Sequence, residues 1–147
     1  MKAGLPTRQK GAAAIEFAMV FVIFFAVFYA VVSYSLPLLM MQSFNEATSE
    51  AVRRCVALDP ASATYSADID AKAKEVLTQQ LAWMPNTLGF ALDTDATVTL
   101  SPAKLLTVRI DYPKGKLGLA IPFLILPGIG EVPRLPDNLS AEASLQL

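Results

Sequence analysis

Arg8-Gln9-Lys10-Gly11-Ala12-Ala13-Ala14-Ile15-Glu16-Phe17 decides how the rest of this chain reads. A basic stretch ends at a glycine, a lone carboxylate follows, and from Phe17 to Val32 no charged or strongly polar side chain interrupts an apolar run. The apolar character continues past Ser33, Ser35 and Pro37 to Met41. As a helix, Phe17 to Met41 would measure roughly 37 Å at about 1.5 Å per residue. A bilayer core of about 30 Å needs about 20 apolar residues, so one crossing is expected, with tilt or an end emerging into water.

Lys2, Arg8 and Lys10 precede the run, with no acid among the first fifteen residues. The bias of basic residues toward the cytoplasmic side places the N-terminus there and the remainder outside. The leader, Met1 to Gly11, is short, polar and holds Pro6, which suits a segment meant for removal. A secretory cleavage near Ser35 is the alternative, but the apolar run is longer than a secretory core and helix-forming residues follow it.

About a hundred residues remain beyond leader and span, enough for one small domain. The hydrophobic fraction of 54% is concentrated in the one segment, and the net charge is −1. Without residues 1–11, nine basic residues face thirteen acidic ones, a net −4 that gives no electrostatic reason to bind nucleic acid. Cys55 is the single cysteine, so an internal disulfide is excluded; it reads as a small buried side chain on a helix, with an intermolecular bridge as the alternative.

Past the span, Phe44, Ala47, Thr48, Ala51, Cys55 and Leu58 fall at steps of three and four, opposite Asn45, Glu46, Ser49, Glu50, Arg53 and Arg54. The helix is therefore expected to run on outside the bilayer until Asp59-Pro60, because proline disfavours helical backbone at the residue before it. Glu50 and Arg54 stand in the favourable order for a pair four apart. Pro37 removes one hydrogen bond and clashes with the carbonyl of Ser33, so a kink is expected near residues 33–37.

Asp68 and Asp70 open a second helical pattern, with Ile69, Ala73, Val76, Leu77, Gln80 and Met84 on one side and Pro85-Asn86 as its stop. Then the period becomes two. Ala96, Val98 and Leu100, and after a turn Leu106, Val108, Ile110 and Tyr112, alternate with polar residues and predict antiparallel strands with one buried face. Pro113 to Lys116 reads as a turn, Leu117 to Phe123 as the start of a third strand, and Leu139 to Leu147 as a closing strand. The apolar piece Leu117 to Ile129 is too short and too broken by proline and glycine to cross a membrane. Buried sheet is the favoured reading, ahead of a membrane dip or a subunit interface.

The fold expected is α+β: a long N-terminal transmembrane and amphipathic helix, a second helix, then a small antiparallel sheet. The chain divides into a leader (1–11), a transmembrane helix (12–41) and an outer domain (42–147). With no histidine, one cysteine, no P-loop and no dinucleotide fingerprint, the parts of most metal, nucleophilic and phosphate sites are missing, and no cofactor is expected. Asp68 with Asp70 reads as a helix cap, and Asp93 with Asp95 as a solvated turn. The Asn138-Leu139-Ser140 sequon decides nothing.

Glu16 stands apart, since a carboxylate in the first turns of a membrane helix loses solvation unless it reaches the headgroups. Cleavage between Gly11 and Ala12 would create an ammonium about one helical turn from it. Glu16 could then pair with its own terminus or a neighbour's, which would set the axial register of a helical assembly.

Lys10-Gly11-Ala12-Ala13-Ala14-Ile15-Glu16-Phe17 resembles the processing site of type IV prepilins, cut after the glycine by a membrane aspartic peptidase. With Arg8 before it and the long apolar helix after it, the stretch resembles the TadE-like pseudopilins of tight-adherence (Tad) pilus and secretion systems. The segment Asn45 to Arg54 and the strand-rich end are similar too. Where family members often carry Asp, Glu or Gly after the apolar run, Tyr34-Ser35-Leu36-Pro37 stands here. The resemblance implies a pilin-like fold and a minor pilin or pseudopilin in the bacterial inner membrane, single-pass, its outer domain periplasmic or extracellular, packed into or beneath a filament. Gly11 and Ala12 would flank the cut, and Glu16 with Phe17 would serve recognition or assembly. The partners implied are other pilin subunits, the prepilin peptidase, an inner-membrane assembly platform and membrane lipid. Two other classes compete: a single-pass anchored binding protein whose leader is never cut, and, with no evident set of convergent polar groups, an enzyme.

Overall fold

The computed structural model describes residues 9–126, 128 and 130–147. The expected leader residues Met1 to Arg8 lie outside the described residues, as do Pro127 and Ile129 of the apolar piece.

The apolar run and the amphipathic stretch after it form one helix, α1 (Gln9–Cys55), which continues through Pro37. Ser33 and Ser35 turn their hydroxyls back onto the Ala30 and Val32 carbonyls at 3.0 and 2.7 Å. The helix gives way to turns at Cys55, with Ala57 and Leu58 donating to carbonyls three residues back, before Asp59-Pro60 is reached. Glu50 takes both Arg54 (2.7 Å) and Arg53 (2.6 Å). The Arg54 guanidinium first, and Arg53 after it, hold its carboxyl below the usual range.

The second helix, α2 (Tyr65–Gln80), begins three residues before Asp68. Asp68 accepts from Ser62 Oγ and Thr64 Oγ1 at 3.0 and 2.9 Å, tying the entry turn, while Asp70 pairs with Lys74. Ile69, Ala73, Val76 and Leu77 are its buried face, as the period of 3.6 requires. It ends at Gln80, ahead of the expected Pro85 stop, with Leu81 donating to Leu77. A 3-10 turn (Asn86–Leu88) follows, closed by Gly89 in the left-handed region at φ +62°, and then a short helix, α3 (Leu92–Asp95).

The sheet is antiparallel in the order β1 (Ala96–Leu100), β2 (Leu105–Pro113), β5 (Asn138–Gln146). Val98 faces Val108, which faces Ala143; Tyr112 faces Leu139. Leu106, Val108, Ile110 and Tyr112 are fully buried, and the alternate positions Thr107, Arg109 and Asp111 lie on the other face opposite Ser144, Glu142 and Ser140. Upper α1 lies across β2 and β5 and packs along α2. Phe44 at the junction stacks on Phe90 at 5.8 Å and meets the Tyr112 ring at 6.0 Å.

The third strand differs from expectation. Lys114–Leu117 is a single helical turn, α4, after which Ala120 and Ile121 both donate to the Leu117 carbonyl. Extended backbone resumes only at β3 (Leu124–Leu126), which pairs with β4 (Gly130–Val132) in a separate two-stranded sheet. The closing strand β5 already occupies the free edge of β2, so the residues after Leu117 have no ladder to join there. The expected buried sheet over Leu117 to Ile129 is overturned with it: Leu117 is buried, but Leu119 and Ile125 are exposed.

Candidate assembly and membrane interface

Below Tyr29 the helix carries no cladding. From Gly11 to Phe28 every residue is exposed, and α1 holds a stretch of mean hydropathy 2.6, long and apolar enough to cross a membrane. These eighteen or so residues measure about 27 Å, close to the hydrocarbon thickness of a bilayer. Stacked rings run along the surface, Phe17 on Phe21 at 6.0 Å, Phe21 on Phe25 at 6.3 Å and Phe24 on Phe28 at 6.2 Å. Ile15, Ala18, Met19, Val22 and Ile23 line a shallow, almost wholly apolar groove beside them.

Gly11, Ala12, Glu16 and Phe17 share the first turns of α1, all exposed. A side chain built at Gly11 would meet nothing within 4 Å. Glycine inside a helix costs roughly 1 kcal/mol relative to alanine, and here the fold offers no steric return for it. Glu16 lies one turn beyond Ala12, and no ion pair among the described residues involves it. Pro37, the remaining residue singled out from the sequence, is not part of this group: it is buried where the outer domain covers α1.

Contacts of the outer domain with α1 begin at Tyr29. Its hydroxyl donates to the Pro122 carbonyl, and the Arg134 backbone N–H donates to Tyr34 Oη at 2.7 Å, so both arms of the β3–β4 hairpin are tied to α1. Sequence reasoning missed these contacts. The available signal was a pair of tyrosines at the outer end of an apolar run, where amphipathic rings favour a membrane–water boundary.

Inside the domain the structure corrects one further expectation. Asp95 is buried, accepting from the Ala91 N–H at 2.9 Å and from Lys116 Nζ at 2.7 Å on each carboxylate oxygen. Lys116 also sits 5.8 Å from the centre of the Tyr112 ring, and Tyr112 Oη donates to the Leu88 carbonyl at 2.5 Å. Asp95 and Tyr112 are buried, Lys116 is partly exposed beside them, and each is partnered, which fits a structural clasp. Asp93, by contrast, is exposed as expected. Cys55 is buried on α1, its Sγ 3.6 Å from the Ile69 carbonyl, and burial pushes the thiol up. Among the described residues no group of three His, Cys, Asp or Glu could hold a metal ion.

No curated protein and no solved structure matches the chain. The family model for TadE-like protein matches residues 11–53, so the resemblance carried by Gly11 to Phe17 extends through the bare helix and up to the ion-paired turn of Glu50 and Arg53.

Proposed function

We propose that this chain is a minor pilin or pseudopilin of a Tad-type pilus or related secretion apparatus, trimmed between Gly11 and Ala12 and packed against other subunits through its bare helix. The observation that carries the reading is a sterically unneeded Gly11 about one turn ahead of a Glu16 that forms no ion pair among the described residues, at the head of a naked, ring-studded rod. The TadE-like match supports association with a Tad pilus, and the single long apolar helix supports a single-pass anchor. Residues 1–11 are then the leader, 12–41 the segment that carries the crossing, and 42–147 the outer domain.

The chain waits in the inner membrane with its N-terminus cytoplasmic. Prepilin peptidase exposes the Ala12 ammonium, and Glu16 pairs with that of a neighbour as the assembly platform draws subunits together. Phe17 and the rings above it pack laterally, exchanging lipid for protein. Pro37, lacking an N–H for the Ser33 carbonyl, is the point where the rod would bend to accommodate its neighbours.

Mass spectrometry of the membrane-extracted protein tests the first step. A mature chain beginning at Ala12 supports the reading, whereas an intact Met1 in working protein supports the anchored binding protein instead. Glu16→Gln tests the second. It should insert normally yet enter assemblies at least about ten-fold less, the factor that about 1.4 kcal/mol of lost charge pairing gives; unchanged assembly would remove the role assigned to Glu16.

A further inference from the structure

We propose that the β3–β4 hairpin and the segment leading into it form a second membrane contact, lying in the outer-leaflet interface beside the point where α1 emerges. The inference rests on the single-pass reading of α1 and adds a surface to it. From Leu117 to Gly130 the sequence has no charged, amide or hydroxyl side chain. Leu119 and Ile125 are 82% and 83% exposed, and Leu124 is 38% exposed. Leu117 anchors this uncharged stretch in the core and Phe123 packs against it, but Leu119 and Ile125 are left outside, and the stretch pairs with no strand of the main sheet that would cover them.

Its position supplies the occupant. Pro122 is tied to Tyr29 and Arg134 to Tyr34, so the hairpin stands beside residues 29–34 of α1. A hydrocarbon core of about 30 Å entered at Ala12 is left near residue 31, and one entered at Phe17 is left near residue 36. Under either placement the hairpin meets the outer boundary of the bilayer to within about one helical turn. Charges flank the apolar piece without entering it: Lys114 and Lys116 before, Glu131 and Arg134 after. The apolar piece thus adjoins a stretch of α1 in which Val31 and Val32 are also exposed.

The depth is limited as well. Three-residue strands leave one edge of each with open backbone groups, and each such group costs several kcal/mol in hydrocarbon. Backbone at headgroup level, with Leu119 and Ile125 pointing inward, satisfies both constraints.

The test uses the full chain carrying Trp83→Phe, reconstituted in phosphatidylcholine vesicles whose acyl chains are brominated near the headgroup or near the chain end. A single tryptophan is introduced by Ile125→Trp, by Leu119→Trp, or by Phe24→Trp in the bare rod. The first two should lose emission to the shallow bromines and the third to the deep ones. If Phe24→Trp is quenched while both hairpin variants are indifferent to brominated lipid, the hairpin does not touch the bilayer and this inference is overturned. A red-shifted emission then places it in water and a blue-shifted one against a second copy. If Phe24→Trp is indifferent too, the single-pass reading itself fails and takes the hairpin contact with it.

Discussion

Tyr112 concentrates the chemistry of the outer domain in one side chain. Its ring is fully buried against Phe44, and burial, followed by the nearby Asp95 carboxylate, pushes the phenol from 10.0 up to about 12. The sign follows directly: the folded chain holds this proton more tightly than the unfolded one, so the contribution is complete below pH 10 and is lost as pH rises through about 12. Between those values stability should fall by about 1.4 kcal/mol per pH unit more in the parent than in Tyr112→Phe, as read from urea midpoints in detergent. Equal slopes would show that the phenol is not held in its neutral form. Little of this was legible in the sequence. The alternation Leu106, Val108, Ile110, Tyr112 announces a buried tyrosine, but nothing local tells which carbonyl it meets. Asp95 misled for the same reason: in sequence it stands in a polar DTD stretch, and its partner Lys116 returns 21 positions later, through a fold that local pattern does not encode.

Among the elements, those set by period were readable and those set by competition for neighbours were not. The buried face of α2 and the strands at 96–100 and 106–112 follow from spacing alone, and β5 fills the closing role that its alternation announces. The third strand failed because an apolar run is compatible with a strand wherever an edge is open, and here no edge of β2 is. The β1–β2 connection carries its own irregularity: Ser101 donates to Leu105, Lys104 to Ser101, and Lys104 sits at φ 59°, where glycine is at ease and a side chain is not. Left-handed backbone costs a non-glycine residue roughly 1–2 kcal/mol, against about 0.5–1 kcal/mol for the extra freedom glycine loses on folding. Lys104→Gly should therefore raise stability by about 0.5–1 kcal/mol, seen as a higher thermal midpoint. A lower midpoint would mean that the Lys104 side chain makes a contribution beyond the turn.

At the scale of the whole molecule, one rod serves two solvents. Its lower part is bare and its upper part supplies the core wall, with Met40, Phe44, Ala47, Ala51 and Cys55 all fully buried. Phe44→Ala should cost about 3–5 kcal/mol, a large share of what a small domain possesses. Limited proteolysis should then cut the outer domain readily while the rod still fractionates with the membrane. If the domain stays resistant, Phe44 is not the keystone its stacking suggests. Both halves of this division were visible in the sequence, because the change from unbroken apolar residues to amphipathic spacing marks it. The exact height at which the domain begins was not, since the contacts at Tyr29 and Tyr34 come from residues about a hundred positions away.

No loop separates anchor from domain, so the two are geared together. An α-helix advances about 100° and about 1.5 Å with each residue. Removing one residue anywhere in the bare stretch would swing the sheet through slightly more than a right angle about the rod and pull it toward the inner leaflet. Azimuth and depth thus come from a single count of residues, and only changes close to whole turns would keep the outer faces of neighbouring copies in phase.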